Sequence, residues 1–75
     1  MNVLVTKASS DYWYRVINVE TLDDVMKIYP EVIIRKNDYS ADDILKFWDG
    51  VKDKAEANRM ADCKYTVTMY DDYIE

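Results

Sequence analysis

Glycine and proline occur once each in these 75 residues, at Gly50 and Pro30; cysteine occurs once, at Cys63, and histidine is missing. Pro30 disfavours helical geometry at Tyr29 and so marks where one helix must stop. Gly50 could end a second helix or sit inside a longer one. Everywhere else hydrophobic patterning decides the structure. The same scarcity bears on chemistry, because phosphate cradles need glycine-rich loops and most general bases and zinc sites need histidine.

Asn2–Lys7 is short and β-branched and reads as a strand, and the turn-forming Ala8–Asp11 leads into Tyr12–Val19, a run of β-formers that should form a hairpin with it. Thr21 then opens a helix, with Asp23 and Asp24 in its first turn. Leu22, Val25, Met26 and Tyr29 form a stripe at i, i+3, i+4 and i+7. Glu31–Lys36 follows as a strand whose consecutive Val32, Ile33 and Ile34 predict an interior position. Ser40 opens a second helix, with Asp42 and Asp43 behind it and a stripe of Ile44, Phe47, Trp48 and Val51. An Asp42–Lys46 pair should brace that helix. Lys52–Asp62 has good helix formers but few large apolar residues, which predicts continued helix, kinked at Gly50 and weakly buried. Cys63–Tyr70 alternates, with Tyr65, Val67 and Met69 on one side and Lys64, Thr66 and Thr68 on the other, as in a strand with one wet face.

The expected order is β-β-α-β-α-β in one domain over residues 1–75. The fold class expected is α+β, a two-layer sandwich of about four strands with both helices on one face. Two tryptophans, seven tyrosines and one phenylalanine compensate for the small size, since each buried aromatic removes roughly 150–250 Å² from water.

Fifteen acidic residues against ten basic ones give a net charge of −5. Such a chain is repelled by nucleic acid and by anionic membrane surfaces, so direct binding to either is not expected. Arg35–Lys36 is the only adjacent basic pair. A lone cysteine suits a reducing cytoplasm, Met1–Ser10 lacks a signal-peptide pattern, and no segment approaches a bilayer span.

No metal or other cofactor is expected. One cysteine without histidine cannot build a zinc site, and none of the pairs Asp23–Asp24, Asp42–Asp43 and Asp71–Asp72 has calcium-loop spacing. The first two pairs follow Thr21 and Ser40 at the same offset, which is what helix-dipole complementation requires. Asp71–Asp72 lies between Tyr70 and Tyr73, an arrangement similar to the acidic turn of polymerases but without a basic channel to hold substrate. Cys63 has no base beside it, and Ser40 is accounted for as a cap. The chain is therefore not expected to be an enzyme.

Binding remains. On a strand, Trp13 faces one side and Tyr12 and Tyr14 the other, and the aliphatic core candidates already suffice, so several tyrosines are surplus. Tyrosines next to carboxylates suit a protein-binding face. The expected partner-binding residues are Tyr70, Asp71, Asp72, Tyr73 and Glu75, followed by Asp49, Asp53, Glu56 and Asp62 along one helical region. The partner would be a protein with a basic surface, met by a monomer or homodimer. Burial of the aromatics in a self-interface, or capture of a small ligand, are the alternatives.

The opening VLVTKASSDYWYRVINVETLDDVMKIY and the close YTVTMYDDYIE resemble short acidic proteins of Gram-positive bacteria and their phages. That resemblance implies inhibition of a host or defence protein, a CRISPR-like nucleic-acid-binding protein for example, by occupying its basic surface, where the acidic side chains would stand in for phosphates.

Overall fold

A computed structural model describes residues 1–8, 10–29 and 31–69. Four strands and three helices follow in the order β1 (Asn2–Lys7), β2 (Ser10–Asn18), α1 (Leu22–Ile28), β3 (Ile33–Lys36), α2 (Ala41–Phe47), α3 (Lys54–Ala61) and β4 (Tyr65–Met69). The strands form one mixed sheet in the order β2-β1-β4-β3. β1 pairs antiparallel with β2 and parallel with β4, and β3 closes the other edge antiparallel to β4. The class is α+β, with the expected four-stranded sheet.

The layering is different from the two-layer sandwich. Val3 and Val5 of β1 share a buried cluster with Val25 of α1 and with Val67 and Met69 of β4. Leu4, between them in sequence, packs instead with Ile44, Trp48, Val51, Ala57 and Met60 of the α2–α3 region. Neighbouring strand residues point to opposite faces, so α1 covers one face and α2 with α3 covers the other. The helices divide because the central strand β1 is apolar on both sides, Val3, Leu4 and Val5 all being fully buried, and a one-sided layer would leave one of those rows in water.

β3 lies at an edge, not in the interior that its aliphatic run predicted. It also starts two residues later than expected, since Glu31 takes a left-handed φ of 58°, outside strand geometry. The interior strands are β1 and β4.

α1 rests on the sheet through Leu22, Val25 and Tyr29, while Met26, expected in the stripe, is 56% exposed. Asp24 accepts from the Thr21 N–H at 3.2 Å. In α2 the reciprocal capping box is complete: Ser40 Oγ accepts from the Asp43 N–H at 3.1 Å and Asp43 accepts from the Ser40 N–H at 3.4 Å. Ion pairs among the described residues join Lys27 to Asp24 and Arg59 to Glu56; the expected Asp42–Lys46 pair is not formed.

The region after Phe47 is not a kinked continuation of α2. Trp48 leaves the helix in extended geometry, and α3 begins afresh at Asp53, whose carboxylate accepts from the Ala55 N–H at 2.8 Å. Nor is α3 weakly buried. Ala57 and Met60 are fully buried and Ala61 packs beside them, a stripe at i, i+3 and i+4 whose small alanines let the helix approach closely. No helix among the described residues is long and apolar enough to cross a membrane.

Candidate functional site

The α2–α3 layer does not cover its whole face of the sheet. Leu4 and its β2 neighbours Tyr14 and Val16 lie under it. Toward β4 and β3 the same face carries Thr6, Thr66, Thr68 and Arg35, and above them lie two adjoining hollows of about 430 and 400 Å³. Tyr39, Phe47 and Thr68 line both hollows, so they form one groove.

Each wall has a local cause. Asn37 donates through Nδ2 to the carbonyls of Met60 (3.0 Å) and Cys63 (2.9 Å), which ties the segment before α2 to the end of α3. The Tyr39 N–H in turn donates to Asn37 Oδ1 at 3.3 Å. Tyr39 is thereby set against Trp48, ring edge to ring face, with centroids 5.1 Å apart and planes at 84°. Phe47 was expected in the buried stripe of α2. It is 51% exposed, because the face of α2 turned to the core carries Ala41, Ile44 and Leu45, with Trp48 and Val51 following, and the Lys46 ammonium lies over its ring at 5.7 Å.

The floor is polar. Thr6 and Thr68 are cross-strand partners with hydroxyl oxygens 3.4 Å apart. Thr66 is the cross-strand partner of Arg35. It was expected on a wet face but is buried, because β4 is an interior strand. Two groove residues bury a polar atom without a hydrogen-bond partner, Trp48 through Nε1 and Thr66 through Oγ1. Each such group costs about 1–3 kcal/mol.

The residues expected to bind a partner do not come together here. Tyr70, Asp71, Asp72, Tyr73 and Glu75 lie outside the described residues. Asp53 is spent as the cap of α3. Glu56 takes both carboxylate oxygens to Arg59, at 2.9 and 3.1 Å, and accepts from the Tyr14 hydroxyl. Asp49 stands exposed between α2 and α3, and Asp62 caps the far end of α3, roughly 13 Å beyond Asp53 at 1.5 Å per residue. In sequence these four acids are interleaved with Lys52, Lys54 and Arg59.

Sequence reasoning missed Tyr39, Phe47, Trp48, Thr66 and Arg35 as a group. The signal was the threonine row of β4, whose polar face had to lie against something once four strands and three helices were assembled.

Two groups have raised pKa values. Burial pushes the Cys63 thiol up; its Sγ is enclosed and donates to the Arg59 carbonyl at 3.5 Å. Burial also raises the Tyr14 phenol, helped by the charge of Glu56 and the hydrogen bond to it. A thiol held protonated in a closed core is a packing group, not a nucleophile. Among the described residues no group of three histidine, cysteine, aspartate or glutamate side chains is arranged to hold a metal ion. No family model, curated protein or solved structure matches the chain.

Proposed function

We propose that this chain is a non-enzymatic protein-binding domain, acting in the cytoplasm as a phage-type inhibitor of a host or defence nucleic-acid-binding protein. The observation that carries the binding role is the clustering of exposed apolar side chains around the groove. Ile33, Tyr39 and Phe47 are 38%, 40% and 51% exposed, and Ile33 is the cross-strand partner of the groove residue Thr68. Exposed apolar residues gathered at one place, with aromatics among them, are what an interface core needs.

The inhibitory role rests on charge and on the resemblance noted above. Three of the five net negative charges come from Asp71, Asp72 and Glu75: fifteen acids less ten bases give −5 for residues 1–75, and twelve less ten give −2 for residues 1–70. Those carboxylates, flanked by Tyr70 and Tyr73, would replace phosphates on the basic surface of the partner, so the domain itself contacts no nucleic acid and needs no cofactor. The test is affinity capture from the native cell with identification of what is retained. The reading expects a nucleic-acid-binding protein whose retention weakens as salt rises and is lost on reversing Asp71 and Asp72 to lysine. Retention indifferent to ionic strength and to the reversal contradicts phosphate mimicry.

A second reading, self-association, is favoured by Met26 and Ile28, exposed on α1 by 56% and 55%. Sedimentation at micromolar concentration tests it: a dimer lost on changing both residues to glutamine supports it, and a monomer contradicts it.

A further inference from the structure

We propose that the groove between α2 and the β3–β4 half of the sheet is a binding site for a carboxylate joined by a short aliphatic link to an aromatic ring. The site stands on the groove residues alone, independently of the acidic segment invoked above.

The unsatisfied groups of the groove share one polarity. The Trp48 indole N–H is a donor only, the Arg35 guanidinium is a donor only, and the Thr66 hydroxyl can donate. Both unpartnered atoms belong to residues that are 92% buried, each being 8% exposed. Arg35 takes part in neither ion pair among the described residues. It neighbours Thr66 across β3 and β4 on the same face, where side chains stand within about 5.5 Å. Lys7 also lines the groove, but its ammonium is engaged over the Trp13 ring at 5.1 Å. A guanidinium beside a hydroxyl suits a planar carboxylate, which accepts from both.

The remainder of the ligand is set by the walls. Tyr39 and Phe47 line both hollows with Thr68 and expose aromatic area there, and a flat apolar ring packs on such walls with little loss of rotamer freedom. Volumes of about 430 and 400 Å³ lie in the range of small-ligand sites. Asp38 and Asp43 decide between anions. Both line the same hollow as Arg35; Asp43 is occupied by the Ser40 N–H, and Asp38 stands exposed. Asp38 and Asp43 offset the two cations of that hollow, Arg35 and Lys36, so it holds no surplus positive charge to favour a doubly charged phosphate over a singly charged carboxylate.

The carboxylate could come from a free aromatic acid or from a polypeptide ending in phenylalanine. The experiment titrates the ¹⁵N-labelled full chain with 3-phenylpropanoate and with acetyl-Gly-Gly-Phe, and reads the indole N–H resonances of Trp13 and Trp48, the only two tryptophans. The amide of each probe and inorganic phosphate are the controls. The expected result is a saturable shift of the Trp48 resonance with one or both carboxylates, and at least about tenfold weaker binding of the amides, the factor that 1.4 kcal/mol represents. Binding of the free acid identifies a small-molecule source, and binding of the peptide alone a chain terminus. Arg35→Gln, an exposed change that leaves the core intact, should weaken binding about tenfold or more, and Thr66→Val several-fold while remaining folded. A Trp48 resonance unmoved at millimolar carboxylate overturns the proposal. An equal response to the amides, a stronger response to phosphate, or full affinity in Arg35→Gln overturns it as well.

Discussion

Thr66 and Val67 are neighbours on one strand, yet they look into two different environments. Val67 is fully buried on the α1 face among Val3, Val5, Val25 and Met69, a layer made of apolar side chains. Thr66 is buried on the α2–α3 face beside Arg35, with an unpartnered hydroxyl and an open groove above it. One face is finished and serves stability. The other is filled by α2 and α3 over β1 and β2 but left polar over β4 and β3. Two unpaired buried groups in a domain of this size are a sizeable fraction of a stability of roughly 5–15 kcal/mol. That cost is intelligible if the polar floor is kept for binding.

The largest expected effect comes from removing the anchor of the incompletely covered face. Ile44→Ala takes a fully buried side chain from the meeting point of α2 with the sheet and should cost about 2–5 kcal/mol. Chemical denaturation measures it, and a loss under 1 kcal/mol would mean that α2 is not held by this contact. Next is Val67→Thr, which places a hydroxyl in the dry layer at nearly constant volume and should cost about 1–3 kcal/mol. A neutral outcome would show that the α1 face admits water and erase the contrast between the faces.

Alkaline pH should act through the α2–α3 side. Cys63 and Tyr14 both belong to that cluster and both have raised pKa values. An acid whose pKa is raised by folding keeps its proton in the native state after the unfolded chain has released it. Their contribution is thus complete below the ordinary thiol and phenol values of 9.0 and 10.0 and is lost as pH rises through and beyond them. Thermal melts from pH 8 upward should show melting falling from about pH 9, and a Cys63→Ala, Tyr14→Phe variant should show a flatter curve. Parallel curves would place the alkaline sensitivity elsewhere.

Much of this architecture could be read from the residues. β1 has the predicted boundaries, because Asn2–Lys7 is strongly β-forming and bounded by a turn. Both predicted capping positions, Thr21 and Ser40, stand at helix starts because their acids sit at the offsets that caps require. What could not be read was set by tertiary partners. A run such as Val32–Ile33–Ile34 is apolar enough for an interior strand, and only the pairing of β1 with β4 leaves it at an edge. A helix with alanines in place of leucines looked weakly buried, although small residues are what allow close approach. The groove was invisible for a related reason. Phe47 and Trp48 share the stripe of α2, but only the packing of α2 against the sheet separates the exposed ring from the buried one. Thr66 and Thr68 alternate like solvent-facing residues, and nothing local says that α2 leans over them. Of the acids expected along the helical region, Asp53 and Asp62 stand at the two ends of α3 and Glu56 pairs with Arg59, while Asp49 stands exposed between α2 and α3.

The most direct test of the contrast between the two faces is urea denaturation of Thr66→Val. If the hydroxyl is an unpartnered buried group retained for binding, its isosteric replacement should raise the midpoint, adding about 1 kcal/mol with an unchanged slope. A midpoint equal to or below that of the natural chain would mean that Thr66 is already satisfied, and the polar floor of the groove would then carry no stored cost for a ligand to relieve.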